Sequence, residues 1–229
     1  MNDRCIDLLR TALETPLPGD KAHRAMLPPG RRYIPPDPSA LPDAGYRRSA
    51  VLIFLVPGDP CFTPMIRRTR DDGPHSGQIA FPGGAAEPTD RDAVETATRE
   101  AAEEIGLDPA IVEPLGTLSS LVIDVSRYVI APVVATPLPG SVFRWSNLVP
   151  QASEVDAILR VPLRTLHTTR TTRGVHARGE ILEVPTYVHE EEAIWGASAM
   201  ILAELFALCA RVGCFGGTVD QNERSAGNR

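Results

Sequence analysis

The chain lacks the cysteine patterns on which many small proteins depend. Its four cysteines, Cys5, Cys61, Cys209 and Cys214, are scattered, with no CxxC pair and no Cys/His finger spacing. Neither a zinc site nor a disulfide scaffold is therefore indicated.

An excess of positive charge is also absent, because the formal net charge is -6 at pH 7. This balance is not that of a nucleic-acid-binding surface, so we expect no DNA partner. A small anionic ligand would have to be held by a local basic cluster and by metal.

Long uninterrupted apolar runs are also missing. The most apolar stretch, residues 193–212, carries Glu204 in its middle and lacks aromatic and basic flanks on both sides. It is therefore predicted to be a buried or half-buried terminal helix and not a membrane span. The first residues form an amphipathic pattern, with Ile6, Leu9 and Leu13 on one side, and lack the basic start and apolar core of a signal peptide. A cytoplasmic location without membrane contact is the resulting expectation.

Composition divides the chain into three parts. Residues 1–45 are predicted to hold an N-terminal helix followed, from residue 15, by a Pro-rich arm with little regular structure. Residues 46–217 are predicted to form one domain, since a chain with 43% hydrophobic residues can build one substantial core. Residues 218–229 are polar and predicted to be a flexible tail.

Within the 46–217 domain, strand patterns surround one charged helix. The helix is predicted over about 91–105, with Gly106 as its left-handed stop. Thr168 to Arg178 is predicted to be a hairpin region. The predicted strands are 48–56, 62–68, 78–81, 115–125, 128–135, 155–161 and 180–189. With the terminal helix, this order favours an α/β fold in which a mixed sheet lies between helices.

The charged helix concentrates acid on one side. Glu100, Glu103 and Glu104 stand at i, i+3 and i+4, within an arc of about 100°. Like charges at this spacing weaken a helix, and a divalent cation would neutralise them. Hard oxygen ligands suit Mg²⁺ or Mn²⁺, so the pattern indicates a metal site that acts on a phosphate-bearing substrate. A solvated acidic face is the competing interpretation of the REAAEE segment alone.

Residues 81–107, FPGGAAEPTDRDAVETATREAAEEIGL, resemble the Nudix box, GX5EX7REUXEEXGU, in which U is aliphatic. From Arg99 to Leu107 every fixed position matches. In the first half, the acidic position counted from Gly84 holds Asp90 in place of Glu, and eight residues instead of seven separate it from Arg99. The FPGG turn at this distance upstream favours the metal site over the solvated face.

The longer box with Asp90 is similar to that of the coenzyme A pyrophosphatases among Nudix hydrolases, whose upstream signature is RSxxxRxxxGxxxFPGG. Arg68, Gly77 and FPGG match this signature, Thr69 replaces Ser, and Gly73 replaces the second basic residue. Residues 152–163 and 193–202 look like two further subfamily segments. The resemblance covers roughly residues 48–210.

The resemblance implies a Nudix-type α/β/α sandwich and a Mg²⁺- or Mn²⁺-dependent pyrophosphohydrolase. Coenzyme A (CoA) or acyl-CoA would be cleaved to 4′-phosphopantetheine, or its acyl form, and 3′,5′-ADP. Two alternatives stay open. One is a Nudix hydrolase of another nucleoside diphosphate derivative (ADP-ribose, a dinucleotide, a nucleoside triphosphate or capped RNA), and the other is a non-catalytic nucleotide sensor. Homodimers are frequent in the superfamily, so a homodimer is expected only at family level.

The metal ligands expected from the resemblance are Glu100, Glu103 and Glu104, with the Gly84 carbonyl as a further oxygen. Arg99 would orient these carboxylates through charge-assisted hydrogen bonds and would not touch the metal.

Four acidic residues are candidates for the general base. Glu103 or Glu104 could activate water, and outside the box Glu154 ranks ahead of Asp124 because it lies in a subfamily-like segment. Both outside residues have an alternative interpretation as cap or turn residues.

Basic residues before the FPGG turn are candidates for binding the substrate phosphates, with Gly83 and Gly84 of the turn. Arg67 and Arg68 cannot face the same way on a strand, and Arg68 matches the signature, so it is favoured together with Arg70. An exposed strand with solvated arginines is the alternative.

Overall fold

The computed structural model describes residues 3–35, 45–69, 77–177 and 180–214. The predicted tail at 218–229, most of the signature loop and Arg70 lie outside these residues. The described part of the chain forms five α-helices: α1 (Asp3–Leu13), α2 (Gly19–Arg24), α3 (Ala93–Ile105), α4 (Leu163–His167) and α5 (Gly196–Arg211). Its eleven strands are β1 (Arg47–Phe54), β2 (Phe62–Arg68), β3 (Ile79–Ala80), β4 (Gly83–Ala85), β5 (Val112–Thr117), β6 (Leu121–Ile123), β7 (Tyr128–Pro137), β8 (Val155–Pro162), β9 (Thr171–Ala177), β10 (Glu180–His189) and β11 (Glu192–Ile194).

The main sheet is mixed, as predicted. Its strand order is β4-β1-β7-β5, with β6 also paired to β7. The pairing of β1 with β7 is parallel, and the other pairings in this sheet are antiparallel. Two three-stranded sheets, β3-β2-β8 and β11-β10-β9, complete the strand topology of the described residues. The predicted hairpin region, 168–178, contains the single strand β9, which pairs antiparallel with β10.

Strand β1 separates two cores because its side chains alternate between the two faces of the main sheet. One core contains Ala50, Leu52 and Phe54 with the buried side of α3. The other contains Ile53 together with Leu9 of α1 and apolar residues of α5. Helices therefore cover both faces, and the predicted α/β/α sandwich is confirmed.

Helix α3 begins and ends where its sequence requires. The Asp92 side chain caps the first turn by accepting a hydrogen bond from the Glu95 N–H at 3.0 Å. Gly106 has φ of 66°, and its N–H donates to carbonyls of the last turn. Ala97, Ala101 and Ile105, four residues apart, are fully buried. The predicted helix is confirmed, with its first residue at Ala93.

Three local predictions are wrong in detail. Six residues of the Pro-rich arm form α2, where little regular structure was expected. The predicted strand 115–125 is two strands, β5 and β6, and β5 carries a register shift between Pro114 and Gly116. The short strand β11 was not predicted, since three residues are too few for a periodic pattern.

The terminal helix α5 is buried, as predicted. Glu204 in its middle is fully buried and accepts hydrogen bonds from the Gly19 N–H at 3.0 Å and from the Ser119 hydroxyl at 2.6 Å. Its second oxygen lies 2.8 Å from His23 Nε2. The polar residue in the apolar stretch thus ties α5 to α2. Among the described residues, every helix is too short or too polar to cross a membrane.

Candidate active site

The FPGG turn places a backbone donor against the acidic helix. The Gly83 N–H donates a hydrogen bond to Glu104 Oε2 at 2.8 Å. Gly83 has φ of 155°, and a Cβ at this position would overlap the carbonyl oxygen of Ala50 on β1. Only glycine lets the turn approach β1 this closely. The turn and the helix are therefore joined at Glu104.

Glu104 is the most deeply buried acid of the candidate site, with its side chain 3% exposed. Burial raises its pKa to about 7, and the charges of Glu100 and Glu154 act in the same direction. The Gly83 hydrogen bond and Arg68 oppose this shift. Arg68 Nη1 lies 3.7 Å from Glu104 Oε1. Glu104 thus has one backbone donor and one guanidinium close to its carboxylate.

Glu100 lies over the second glycine of the turn. Its carboxylate oxygens would be 2.5 and 2.6 Å from a Cβ built on Gly84, so the absence of a side chain there gives the carboxylate its position. Burial raises the pKa of Glu100, and Arg99 opposes this shift. The charges of Glu103 and Glu154 raise the pKa further.

Arg99 holds the acidic cluster together. Its Nε and Nη2 donate to the two oxygens of Asp90 at 3.2 and 3.1 Å, and Nη2 also donates to the Ala85 carbonyl at 3.0 Å. Its Nη1 lies 3.0 Å from Glu100 and 3.1 Å from Glu103. The guanidinium therefore spans the helix and the turn, the geometry of a residue that orients carboxylates.

Asp90 is a site residue whose role could not be assigned from the sequence. Hydrogen bonds, first from Arg99 and then from the Glu87 N–H and the Thr96 hydroxyl, lower its pKa to about 2. Its side chain is 4% exposed. Its place at the acidic position of the box was the one sequence feature that marked it. Because the segment between Asp90 and Arg99 is one residue longer than in the box pattern, the pairing of these two residues could not be read from the spacing.

The remaining predicted residues differ in how close they lie to this cluster. Glu103 is 59% exposed at its side chain and is paired with Arg99. Glu154 is exposed, and its negative charge acts in the direction that raises the pKa of both Glu100 and Glu104. Asp124 lies in the turn after β6 and accepts a hydrogen bond from the Tyr46 hydroxyl at 2.6 Å.

The two neighbouring arginines of β2 have different partners, as strand alternation predicted, although the pairing of β2 with β8 shifts register between them. Arg67 Nε lies 2.7 Å from Asp156, and its Nη1 lies 2.6 Å from Glu192. Arg68 instead reaches Glu104. Arg67 is therefore occupied by two ion pairs, and Arg68 is the arginine of this strand that remains next to the acidic helix. Arg70 lies outside the described residues.

The oxygen atoms that the site offers are ligands of the kind that a hard divalent cation prefers. In the described part of the chain, no three His, Cys, Asp or Glu side chains lie together as a ready-made metal cage. Glu100 and Glu104 nevertheless place carboxylate oxygens beside the glycine turn, and their raised pKa values reflect burial and repulsion between like charges. A divalent cation would relieve this repulsion, and carboxylate and carbonyl oxygens are the ligands that Mg²⁺ and Mn²⁺ prefer.

Comparison with known proteins gives matches in sequence and in structure. The NUDIX domain family model matches residues 46–130. The Nudix hydrolase NudL of Escherichia coli (strain K12 / DH10B) is 35% identical over 162 residues, which cover 70% of this chain and 81% of NudL. NudL of Shigella boydii serotype 18 has the same identity and coverage. A crystal structure of the Nudix hydrolase RenU from M. smegmatis is 16% identical, with a TM-score of 0.47, and the match covers 72% of this chain and 86% of RenU.

Proposed function

This chain belongs to the Nudix hydrolase family, and from that premise we propose that it cleaves the pyrophosphate bond of CoA or acyl-CoA with Mg²⁺ or Mn²⁺. Family membership makes it a pyrophosphohydrolase acting on nucleoside diphosphate derivatives, in a family that generally uses divalent metal ions. The proposed products are 3′,5′-ADP and 4′-phosphopantetheine or its acyl form. A homodimer and a cytoplasmic location stay predictions.

The proposal for CoA rests on two contacts that meet at Glu104. Two separate parts of the subfamily-like signature, Arg68 and the FPGG turn, meet at the same buried carboxylate of Glu104. The third matching part of the sequence, the acidic helix, supplies that carboxylate. The segments whose sequence is similar to the CoA pyrophosphatase signature therefore lie close together in space, at the Glu104 carboxylate.

The proposed reaction needs little covalent work from the protein. Glu100, Glu103, Glu104 and the Gly84 carbonyl would hold the divalent cation, which neutralises phosphoryl oxygens and lowers the pKa of bound water. Arg99 would keep the carboxylates in place through the contacts described above.

Positioning and proton transfer fall to residues around the acidic helix. Arg68 would bind pyrophosphate oxygens bidentately, with the backbone of Gly83 and Gly84 close to them. We assign the general base to Glu154, since its side chain is exposed and has no ion pair within the described part of the chain. The water oxygen bonds to phosphorus, the P–O bond of the bridge breaks, and Glu154 takes the water proton. Glu103 and Glu104 are the two candidate bases inside the box.

Incubation of the purified chain with Mg²⁺ or Mn²⁺ tests the proposal. The substrate panel is CoA, acetyl-CoA, ADP-ribose, NADH and a dinucleoside polyphosphate, with products separated by chromatography. We expect 3′,5′-ADP from CoA and none from the Glu104→Gln variant. If Glu154 is the base, Glu154→Gln loses turnover but still binds CoA, whereas the matched exposed variant Glu191→Gln keeps both. Preferential cleavage of ADP-ribose or a dinucleotide would contradict the CoA assignment.

Another nucleoside diphosphate derivative is the second candidate substrate. The observation that favours it is Gly73, which stands where the CoA pyrophosphatase signature has a second basic residue. This position lies outside the described residues, and the same panel decides between the two substrates. A non-catalytic sensor would bind CoA or ADP-ribose equally well in the wild type and in Glu104→Gln, with no turnover in either.

A further inference from the structure

A cavity of ≈ 300 Å³ adjoins the candidate active site. We call it the side cavity. Its wall includes Gly83 and Arg68 from the site, residues 27–28 and 31–33 of the Pro-rich arm, and the first turn of α5. Its volume is at the lower end of the range of about 300–1,000 Å³ that small-molecule sites occupy. A molecule whose pyrophosphate lies on the acidic helix could extend directly into the side cavity.

One end of the side cavity favours negative charge. Gly196, Ala197 and Ser198 of the first turn of α5 lie on its wall. The first N–H groups of a helix have no partners within the helix, and the helix dipole makes this end positive. At the N-cap position, Trp195 makes no side-chain hydrogen bond to these groups. The 16-residue helix α5 therefore presents uncapped N–H groups to the side cavity.

The Ser198 hydroxyl independently indicates a ligand at the same end. Ser198 is 8% exposed and lies on the cavity wall. Within the described ranges, its hydroxyl has no hydrogen-bond partner. Because the residue lies on the cavity wall, this hydroxyl is free to donate a hydrogen bond to a molecule in the cavity. A bound acceptor such as a phosphate oxygen would satisfy it.

Two arginines of the arm lie on the same wall. Arg31 and Arg32 are exposed, and neither side chain forms an ion pair with another described residue. The wall also contains one acid, Asp124, whose carboxylate accepts a hydrogen bond from Tyr46 and lies 3.8 Å from Arg127. The negative charge of Asp124 is thus partly matched, and the free guanidinium groups leave an unbalanced positive charge.

The arm is anchored against α5 by buried contacts. Tyr33, next to the two arginines, is 8% exposed, and its hydroxyl lies 3.2 Å from Nδ1 of the buried His23. Nε2 of His23 is in turn 2.8 Å from Glu204 on α5. The guanidinium of Arg24 lies 4.6 Å from the centre of the Tyr33 ring. The arm segment is therefore held against α5 as a wall of the side cavity, which lowers the cost of ordering its backbone when a ligand binds.

The rest of the cavity wall is largely apolar. It includes Leu27 of the arm, Val51 of β1, Phe81 before the turn, Val122 of β6, and Met200 and Ile201 of α5. Such a surface suits a flat aromatic group, which loses little by leaving water. A ligand that is aromatic in one part and anionic in the next matches both ends of the cavity.

We propose that the side cavity binds a nucleoside whose ribose carries a phosphate besides the pyrophosphate. The ribose phosphate accepts hydrogen bonds from the α5 N-terminus and Ser198 and is paired with Arg31 and Arg32, while the base lies on the apolar wall. This inference rests on the proposed function, because the adenosine half of CoA carries such a 3′-phosphate. It assigns the Pro-rich arm a role in substrate selection.

Calorimetric titration with 3′,5′-ADP and 5′-AMP, without metal, tests the inference independently of turnover. The wild type is expected to bind 3′,5′-ADP at least about tenfold more tightly than 5′-AMP, as one additional charge-assisted contact allows. In the Arg31→Gln/Arg32→Gln double variant the two affinities should become about equal, mainly through weaker binding of 3′,5′-ADP. The matched control Arg4→Gln/Arg173→Gln removes two exposed arginines that do not lie on the cavity wall and should keep the preference.

Ser198→Asp provides a second test, since a carboxylate at the anion end should abolish the preference for 3′,5′-ADP. Thermal unfolding of each variant identifies loss of folding as a separate cause. Equal binding of the two nucleotides by the wild type, or a preference unchanged in the folded double variant, would overturn the inference. Failure of the CoA hydrolysis assay with the preference intact would reject the proposed reaction while leaving the anion site standing.

Discussion

Arg99 and Asp90 form a two-point ion pair, with Nε–Oδ1 and Nη2–Oδ2 distances of 3.2 and 3.1 Å. The pair connects the turn before α3 to the middle of that helix. It accounts for the acidic position of the box, because the carboxylate there fixes a guanidinium that also contacts Glu100 and Glu103. The extra residue between Asp90 and Arg99 does not prevent this contact.

Replacement of Asp90 by asparagine should lower turnover without unfolding the protein. Asparagine presents an NH₂ group to the guanidinium, so Arg99 loses one anchor and can bind Glu100 and Glu103 more strongly. We expect kcat to fall about tenfold, as is typical when a residue that orients metal ligands is changed. Steady-state kinetics on the cleaved substrate measures this, with Asp7→Asn on the exposed side of α1 as control. Unchanged kcat in a folded Asp90→Asn variant would refute the orienting role.

Asp90 should also make stability depend on pH in the acid range. Hydrogen bonds from Arg99 lower its pKa from 3.8 to about 2, so the folded state holds fewer protons at this group than the unfolded state. Its contribution is present above the unfolded pKa and is lost as the pH falls through the folded pKa. The stability difference between wild type and Asp90→Asn, from urea unfolding, should be constant above about pH 4 and shrink towards about pH 2. A difference independent of pH would rule out the shifted pKa.

The two glycines of the turn should respond differently to alanine. At Gly83 the Cβ would overlap the backbone of β1, so Gly83→Ala should destabilise the protein by about 1–3 kcal/mol and displace the N–H from Glu104. At Gly84 the Cβ would meet the end of the Glu100 side chain, which can rotate away. Gly84→Ala should therefore cost less than about 1 kcal/mol but lower kcat about tenfold or more. Denaturant unfolding and kinetics on both variants check this, and equal stabilities would contradict it.

Glu204 should be important for stability, although it lies away from the acidic helix. Its Oε1 accepts hydrogen bonds from the Gly19 N–H and the Ser119 hydroxyl. Its Oε2 accepts one from the Ser119 N–H and lies next to His23 Nε2. Glu204→Gln replaces one acceptor by an NH₂ group that faces donors, and this mismatch should cost about 1–3 kcal/mol. Denaturant unfolding measures the loss, with Glu191→Gln as the exposed control. Equal stability of Glu204→Gln and wild type would show that this network contributes nothing.

Elements with strong local signals could be predicted from the sequence. Helix α3 has a capping aspartate, a glycine stop and buried alanines at helical spacing, and β1 ends in a continuous apolar run. Helix α2 has no comparable signal. Its residues Gly19 and His23 contact the buried carboxylate of Glu204, which follows Gly19 by 185 residues, so a contact distant in sequence stabilises this turn. The break between β5 and β6 likewise depends on their pairing with β7.

The sequence by itself determined that Glu100, Glu103 and Glu104 share one side of a helix after a glycine turn, because helical periodicity is a local property of the chain. It also predicted that Arg67 and Arg68, as neighbours on a strand, have different surroundings. Only the tertiary structure decided that Glu104 is buried while Glu103 is exposed, that Asp90 binds Arg99, and that the arm forms a wall of the side cavity. The physical reason is that desolvation and ion pairing depend on which distant segments pack around a group, and local spacing does not specify them.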